Sequence, residues 1–89
     1  MPHLNLKITG KVQGVYYRES MRQKAHDLGM KGFVRNEADG SVYAEIEGEQ
    51  PLLDKMVAWC HQGPDMATVQ TVTVTEAPMA DFDGFEVRR

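Results

Sequence analysis

The sequence predicts an α+β fold, and three observations predict it. Period-two alternation of apolar and polar residues marks short strands, and apolar residues at i, i+3, i+4 and i+7 spacing mark two helices. The segments follow one another as strand, helix, strand, strand, helix, strand, with one short extra strand. That order is the ferredoxin-like βαββαβ sandwich: an antiparallel-containing sheet of four strands plus a short fifth, with two helices packed on one face.

The first strand is HLNLKIT, where Leu4, Leu6 and Ile8 alternate with Asn5, Lys7 and Thr9. The first helix is RESMRQKAHDLG, with Met21, Ala25 and Leu28 at helical spacing and Gly29 suited to the left-handed position beyond its end. GFVRN and SVYAEIEG form a hairpin, because Asp39-Gly40 supplies the turn and Val42, Ala44 and Ile46 face one way. The second helix is QPLLDKMVAWCHQGP: Pro51 lies in its first turn, Leu53, Met56, Val57 and Cys60 form its buried stripe, and Gly63-Pro64 stop it. TVQTVTVTE is rich in β-branched residues, but Val69 is out of step with Val72 and Val74, so an irregularity or an offset start is expected there. GFEVRR closes the chain as a short strand with Phe85 and Val87 inward.

Eighty-nine residues suffice for one core two layers deep, so residues 1–89 are read as a single domain with any site at its rim. The net charge of −3 comes from mixed charges without a clustered basic face, which disfavours nonspecific nucleic-acid binding. A single cysteine, Cys60, excludes an intrachain disulfide and a cysteine metal cluster, and favours a reducing, cytoplasmic setting. MPHLNLKITG has no basic region followed by an apolar run, and no stretch approaches membrane-spanning length, so no membrane association is expected.

A strand, a crossover helix and a second strand leave the two strands parallel, with their carboxyl ends on one edge of the sheet. The loop after the first strand and the end of GFVRN therefore share an edge. With one antiparallel strand between them, their ends lie about 10 Å apart, and Arg18 and Asn36 can both reach a small ligand placed there. In GKVQGVYYRES, Gly10 and Gly14 permit a sharp turn that feeds a helix start, where unpaired N–H groups and partial positive charge favour an anion. Arg18 adds a permanent charge with a planar fork. Neither GxxxxGK[ST] nor GxGxxG occurs, so nucleotide cofactors are poorly supported. By pattern alone, these residues also read as a plain turn closed by a solvated arginine.

GKVQGVYYR together with GFVRNEADGSVYAEIEG resembles the acylphosphatase family, and GPDMATV and the closing FEVRR extend the resemblance over nearly the whole chain. The resemblance implies hydrolysis of the carboxyl-phosphate anhydride of an acyl phosphate to a carboxylate and inorganic phosphate. It implies that Arg18 and Asn36 are the catalytic pair and that the loop Gln13, Gly14, Val15, Tyr16, Tyr17 and Arg18 binds the phosphate. Asn36 would orient the attacking water. Two departures stand out: Tyr16 and Tyr17 occupy positions where the family more often has glycine or phenylalanine, and GPDMA varies a segment commonly richer in proline. The expected partner is a small-molecule acyl phosphate, bound by a monomer with no metal and no cofactor.

Other chemistry-bearing side chains are set aside. His3, His26 and His61 lie at a terminus, on the polar side of the first helix and near the end of the second, and Cys60 and Trp59 read as core. Glu19 suits the dipole of the first helical turn, with a general-base role as the alternative. A noncatalytic anion-binding module and an RNA-binding module share this topology. The first would have no need of Asn36, and the second would want a basic surface and stacking aromatics where only Tyr43 is evident.

Overall fold

Leu4, Leu6 and Ile8 place three apolar side chains on one side of the first strand, and that side becomes the centre of the core. The computed structural model describes residues 2–88, which form β1 (His3–Lys11), α1 (Tyr17–Asp27), β2 (Lys31–Asn36), β3 (Val42–Glu47), α2 (Gln50–Gln62), β4 (Thr68–Ala77) and β5 (Phe85–Arg88). The strands lie in the order β4-β1-β3-β2-β5. β3 is antiparallel to both β1 and β2, so these two run parallel to each other, one strand apart. β4 adds antiparallel to β1, and β5 adds parallel to β2, which makes the sheet mixed.

The helices supply the second layer. Met21 and Ala25 of α1 and Leu53, Met56 and Cys60 of α2 are buried in one cluster with Leu6, Ile8, Val34, Val42, Ala44 and Ile46. Each of the larger side chains contributes roughly 1.5–3 kcal/mol by leaving water. Leu28 and Val57, expected on the helical stripes, lie partly exposed at the edge of this cluster.

The irregularity at Val69 is a register shift in the pairing of β1 with β4. Thr9 faces Thr71 and Gly10 faces Val69, leaving Gln70 as an extra residue on β4. Gly10 is required at this bulge, since its φ is +121° and a Cβ there would lie 2.2 Å from the Thr68 carbonyl oxygen. Among the described residues, no helix is long and apolar enough to cross a membrane.

The face of the sheet away from the helices carries an unexpected polar cluster. His3 and Glu47 are both buried there. The imidazole donates from Nδ1 to the Glu47 carboxylate at 2.7 Å and from Nε2 to Glu45 at 2.8 Å and Asn5 Oδ1 at 3.1 Å. Burial works against the charged ring, but these acceptors outweigh it and raise its pKa. Glu47 also accepts the backbone N–H groups of Ala80, Asp81 and Phe82, with distances of 3.0 Å from Asp81 and 2.8 Å from Phe82. One carboxylate thus ties the connection between β4 and β5 to the centre of the sheet.

Candidate active site

The loop between β1 and α1 is held by four side chains, with Val15 and Tyr17 alternating with outward-facing neighbours. Val12 and Val15 are buried in the core, and Gln13 donates from Nε2 to the carbonyls of Glu37 at 2.7 Å and Ser41 at 2.9 Å. Tyr17 is buried, and its hydroxyl donates to the Cys60 carbonyl at 2.7 Å while its ring packs 5.4 Å from that of Trp59. These anchors connect the loop to the core, to the β2–β3 hairpin and to α2. They leave Gly14, Tyr16 and Arg18 on the outside.

The backbone follows from that alternation. Gly14 has φ +72° and open space where a Cβ would be, so the left-handed conformation and access to the amide are what call for glycine. Tyr16 is also left-handed, at φ 62° and ψ 23°, which costs a non-glycine residue on the order of 1–2 kcal/mol. It is the residue capping α1, yet no side chain caps the helix. The first amides of α1 are therefore left for a ligand or water, with the positive end of the helix behind them.

β2 delivers the facing group. Asn36 is its last residue and shares the parity of Val34, so its side chain emerges on the helix-covered side of the sheet. Its Oδ1 is buried and, among the described residues, has no hydrogen-bond partner. A buried carbonyl oxygen without a donor is costly, and Asn36 lines a cleft of about 240 Å³ together with Gly14, Arg18 and Val87. Arg18 is similarly uncommitted: among the described residues, its one hydrogen bond is a long contact of 3.4 Å from Nη1 to the Arg88 carbonyl.

The structure therefore places Gly14, Tyr16, Tyr17, Arg18 and Asn36 around one cleft. Val15 supports the loop from the core, and the Gln13 side chain is turned away into the hairpin carbonyls. Glu19 borders the cleft, but its carboxylate is paired with Arg22, which holds its pKa below the ordinary range and makes it a poor base. Sequence reasoning missed two contributions. Val87 forms a wall because β5 pairs with β2, and Gln13 ties the loop to the hairpin that follows Asn36. Only the position of Gln13 within the loop motif could have signalled the second.

The acylphosphatase family model matches residues 4–87. The chain belongs to the acylphosphatase family. It is 49% identical over 84 residues to an acylphosphatase of Acidovorax sp. (strain JS42), covering 94% of this chain and 87% of the relative. It superposes on an acylphosphatase from Coxiella burnetii with a TM-score of 0.94 at 36% identity, covering 98% of this chain and 92% of the other. The acylphosphatase of Bacillus subtilis gives a TM-score of 0.97 at 27% identity, with both chains fully covered. The family's βαββαβ frame is thus present throughout this chain, with both the glycine-containing loop and the end of β2 inside the matched span.

Proposed function

We propose that Arg18 and the amides of residues 13–18 hold the phosphoryl group of an acyl phosphate while Asn36 orients the attacking water. As a member of the acylphosphatase family, the chain is a hydrolase that cleaves acyl phosphates to a carboxylate and inorganic phosphate. The observation that carries the residue assignment is that Asn36, whose Oδ1 has no hydrogen-bond partner among the described residues, lines the same cleft as Arg18.

The chemistry suits so sparse a site. Water attacks phosphorus, the bond between phosphorus and the bridging oxygen breaks, and its electrons leave with the carboxylate, which needs no proton at neutral pH. The proton of the water passes to the phosphate oxygens. A loose phosphoryl transition state mainly requires that its equatorial oxygens be held and the nucleophile be in line. The Arg18 fork and the loop amides fit the first task. Asn36, with a carbonyl acceptor and an amide donor in its side chain, holds the water and fixes its direction of approach.

The setting proposed with this activity is a cytoplasmic monomer formed by one domain. Support for one domain comes from the one apolar cluster shared by both layers, and support for the compartment from a free, buried Cys60 compatible with a reducing setting.

The test is hydrolysis of acetyl phosphate by wild type, Arg18→Lys and Asn36→Ala. Arg18→Lys keeps the charge but loses the fork, and should lower kcat/KM by about 100-fold or more. Asn36→Ala should lower kcat by a similar factor while inhibition by inorganic phosphate stays within about twofold of wild type. Wild-type turnover in Asn36→Ala would remove the water-orienting role.

A further inference from the structure

Asn36 sits where its strand loses support. It is the last residue of β2, and its pairing with Val42 is the last step of the β2–β3 register, so the ladder that orders the strand stops there. The preceding residue, Arg35, has the opposite parity, and its side chain lies on the face of the sheet away from the helices. There it donates to Oε1 of Glu37, from Nε at 3.4 Å and from Nη2 at 3.3 Å. The residues before and after Asn36 are thus joined behind it.

The guanidinium is itself held in place. Its Cζ lies 4.8 Å from the ring centroid of Tyr43, the cross-strand partner of Arg35, and 5.6 Å from that of Phe33 on its own strand. Tyr43 donates its hydroxyl to Glu45 Oε2 at 2.8 Å, which fixes the ring on which the guanidinium rests. A half-exposed ion pair alone is weak, but a cation confined between aromatic rings and a carboxylate has few alternative positions. Glu37 is tied through its backbone as well: its N–H donates to the Ser41 carbonyl at 2.8 Å, and its own carbonyl accepts Gln13 Nε2 at 2.7 Å. One residue therefore joins the end of β2 to the loop between β1 and α1.

We propose that Arg35 is a positioning residue for the hydrolysis, holding the end of β2 through Glu37 from the back of the sheet so that Asn36 keeps its aim at the water. The proposal rests on the assignment of Asn36 to the water. Arg35 does not line the cleft, so its effect belongs in turnover and not in phosphate affinity. The phosphate loop has other anchors in Val12, Val15, Tyr17 and the Ser41 carbonyl, none of which passes through the Arg35 side chain.

The experiment measures acetyl phosphate hydrolysis and inhibition by inorganic phosphate in Arg35→Met and Arg35→Lys, each with Asn36 present or replaced by alanine. The Arg35 side chain is 40% exposed, so the fold tolerates both changes. Arg35→Met should lower kcat about fivefold while the phosphate inhibition constant stays within about twofold of wild type. Arg35→Lys keeps a cation over Tyr43 and within reach of Glu37, and should recover at least about half of the wild-type kcat. In Asn36→Ala no amide is left to aim, so adding Arg35→Met should change kcat by less than about 1.5-fold. An equal fall in both backgrounds, an unchanged kcat in Arg35→Met, or a weaker phosphate constant without a fall in kcat would overturn the positioning role and leave the assignment of Asn36 standing. Wild-type turnover in Asn36→Ala would remove that assignment, and this proposal with it.

Discussion

Glu47→Gln should destabilise the fold by about 3 kcal/mol at neutral pH, with a cost that disappears in acid. The residue is 1% exposed, and its carboxylate accepts three backbone N–H groups and a bond from the His3 ring. Burial alone would raise its pKa, but the bond from His3 and those from Phe82, Ala80 and Asp81 prevail and bring it from 4.5 to about 2. At 1.36 kcal/mol per pH unit, that fall corresponds to roughly 3 kcal/mol of preferential stabilisation of the folded state. Glutamine removes the charge and turns an NH₂ group toward donors, so a loss of the same order follows from the hydrogen bonds themselves.

The sign of the pH dependence is set by the depressed folded pKa. The contribution is complete above 4.5 and is lost as pH falls through 4.5 toward about 2. His3 behaves oppositely: its raised folded pKa gives stability that is complete below 6.5 and fades as pH rises through the folded value. Guanidinium unfolding followed by the fluorescence of Trp59, the single tryptophan, measures both effects. The gap between wild type and Glu47→Gln should be about 3 kcal/mol at pH 6 and should close between pH 4.5 and 2. A gap that is absent at pH 6, or constant down to pH 2, would refute the reasoning.

Two further outcomes follow from the loop anchors and the core. Gln13→Ala removes the hydrogen bonds to the Glu37 and Ser41 carbonyls; it should cost about 1–2 kcal/mol in unfolding experiments and lower kcat/KM for acetyl phosphate about tenfold, because the loop is no longer held against the hairpin that follows Asn36. Cys60 is buried and its thiol is pushed up to about 12 by desolvation, so a thiol reagent at pH 8 should label unfolded but not native protein; rapid native labelling would contradict its place in the core.

The β-strands and helices were legible because their signals are local. Alternation in HLNLKIT, the stripe Leu53, Met56 and Cys60, and the turn at Asp39-Gly40 each depend on residues a few positions apart, and the out-of-step Val69 was a visible sign of the bulge. The glycine-containing loop, Arg18 and Asn36 could be brought to one edge because β1 and β2 are joined by a helix.

Other features had no local signature. Glu47 occupies the polar parity of β3 and reads as solvent-facing; it is buried because the connection between β4 and β5 folds over it and offers three amides. Val87 becomes a wall of the cleft through the parallel pairing of β5 with β2, a choice of neighbour made across more than forty intervening residues. The tyrosine pair separates for a similar reason: Tyr17 points to α2, where the Cys60 carbonyl receives its hydroxyl, while the left-handed turn at Tyr16 sends the neighbouring ring outward. The amino-acid sequence alone determined the elements and which end of the sheet could bind an anion, since both follow from short-range periodicity and chain connectivity. Burial of a carboxylate, strand neighbours beyond the hairpin and the direction of two adjacent rings depend on which distant surfaces meet, and only the tertiary structure decided them.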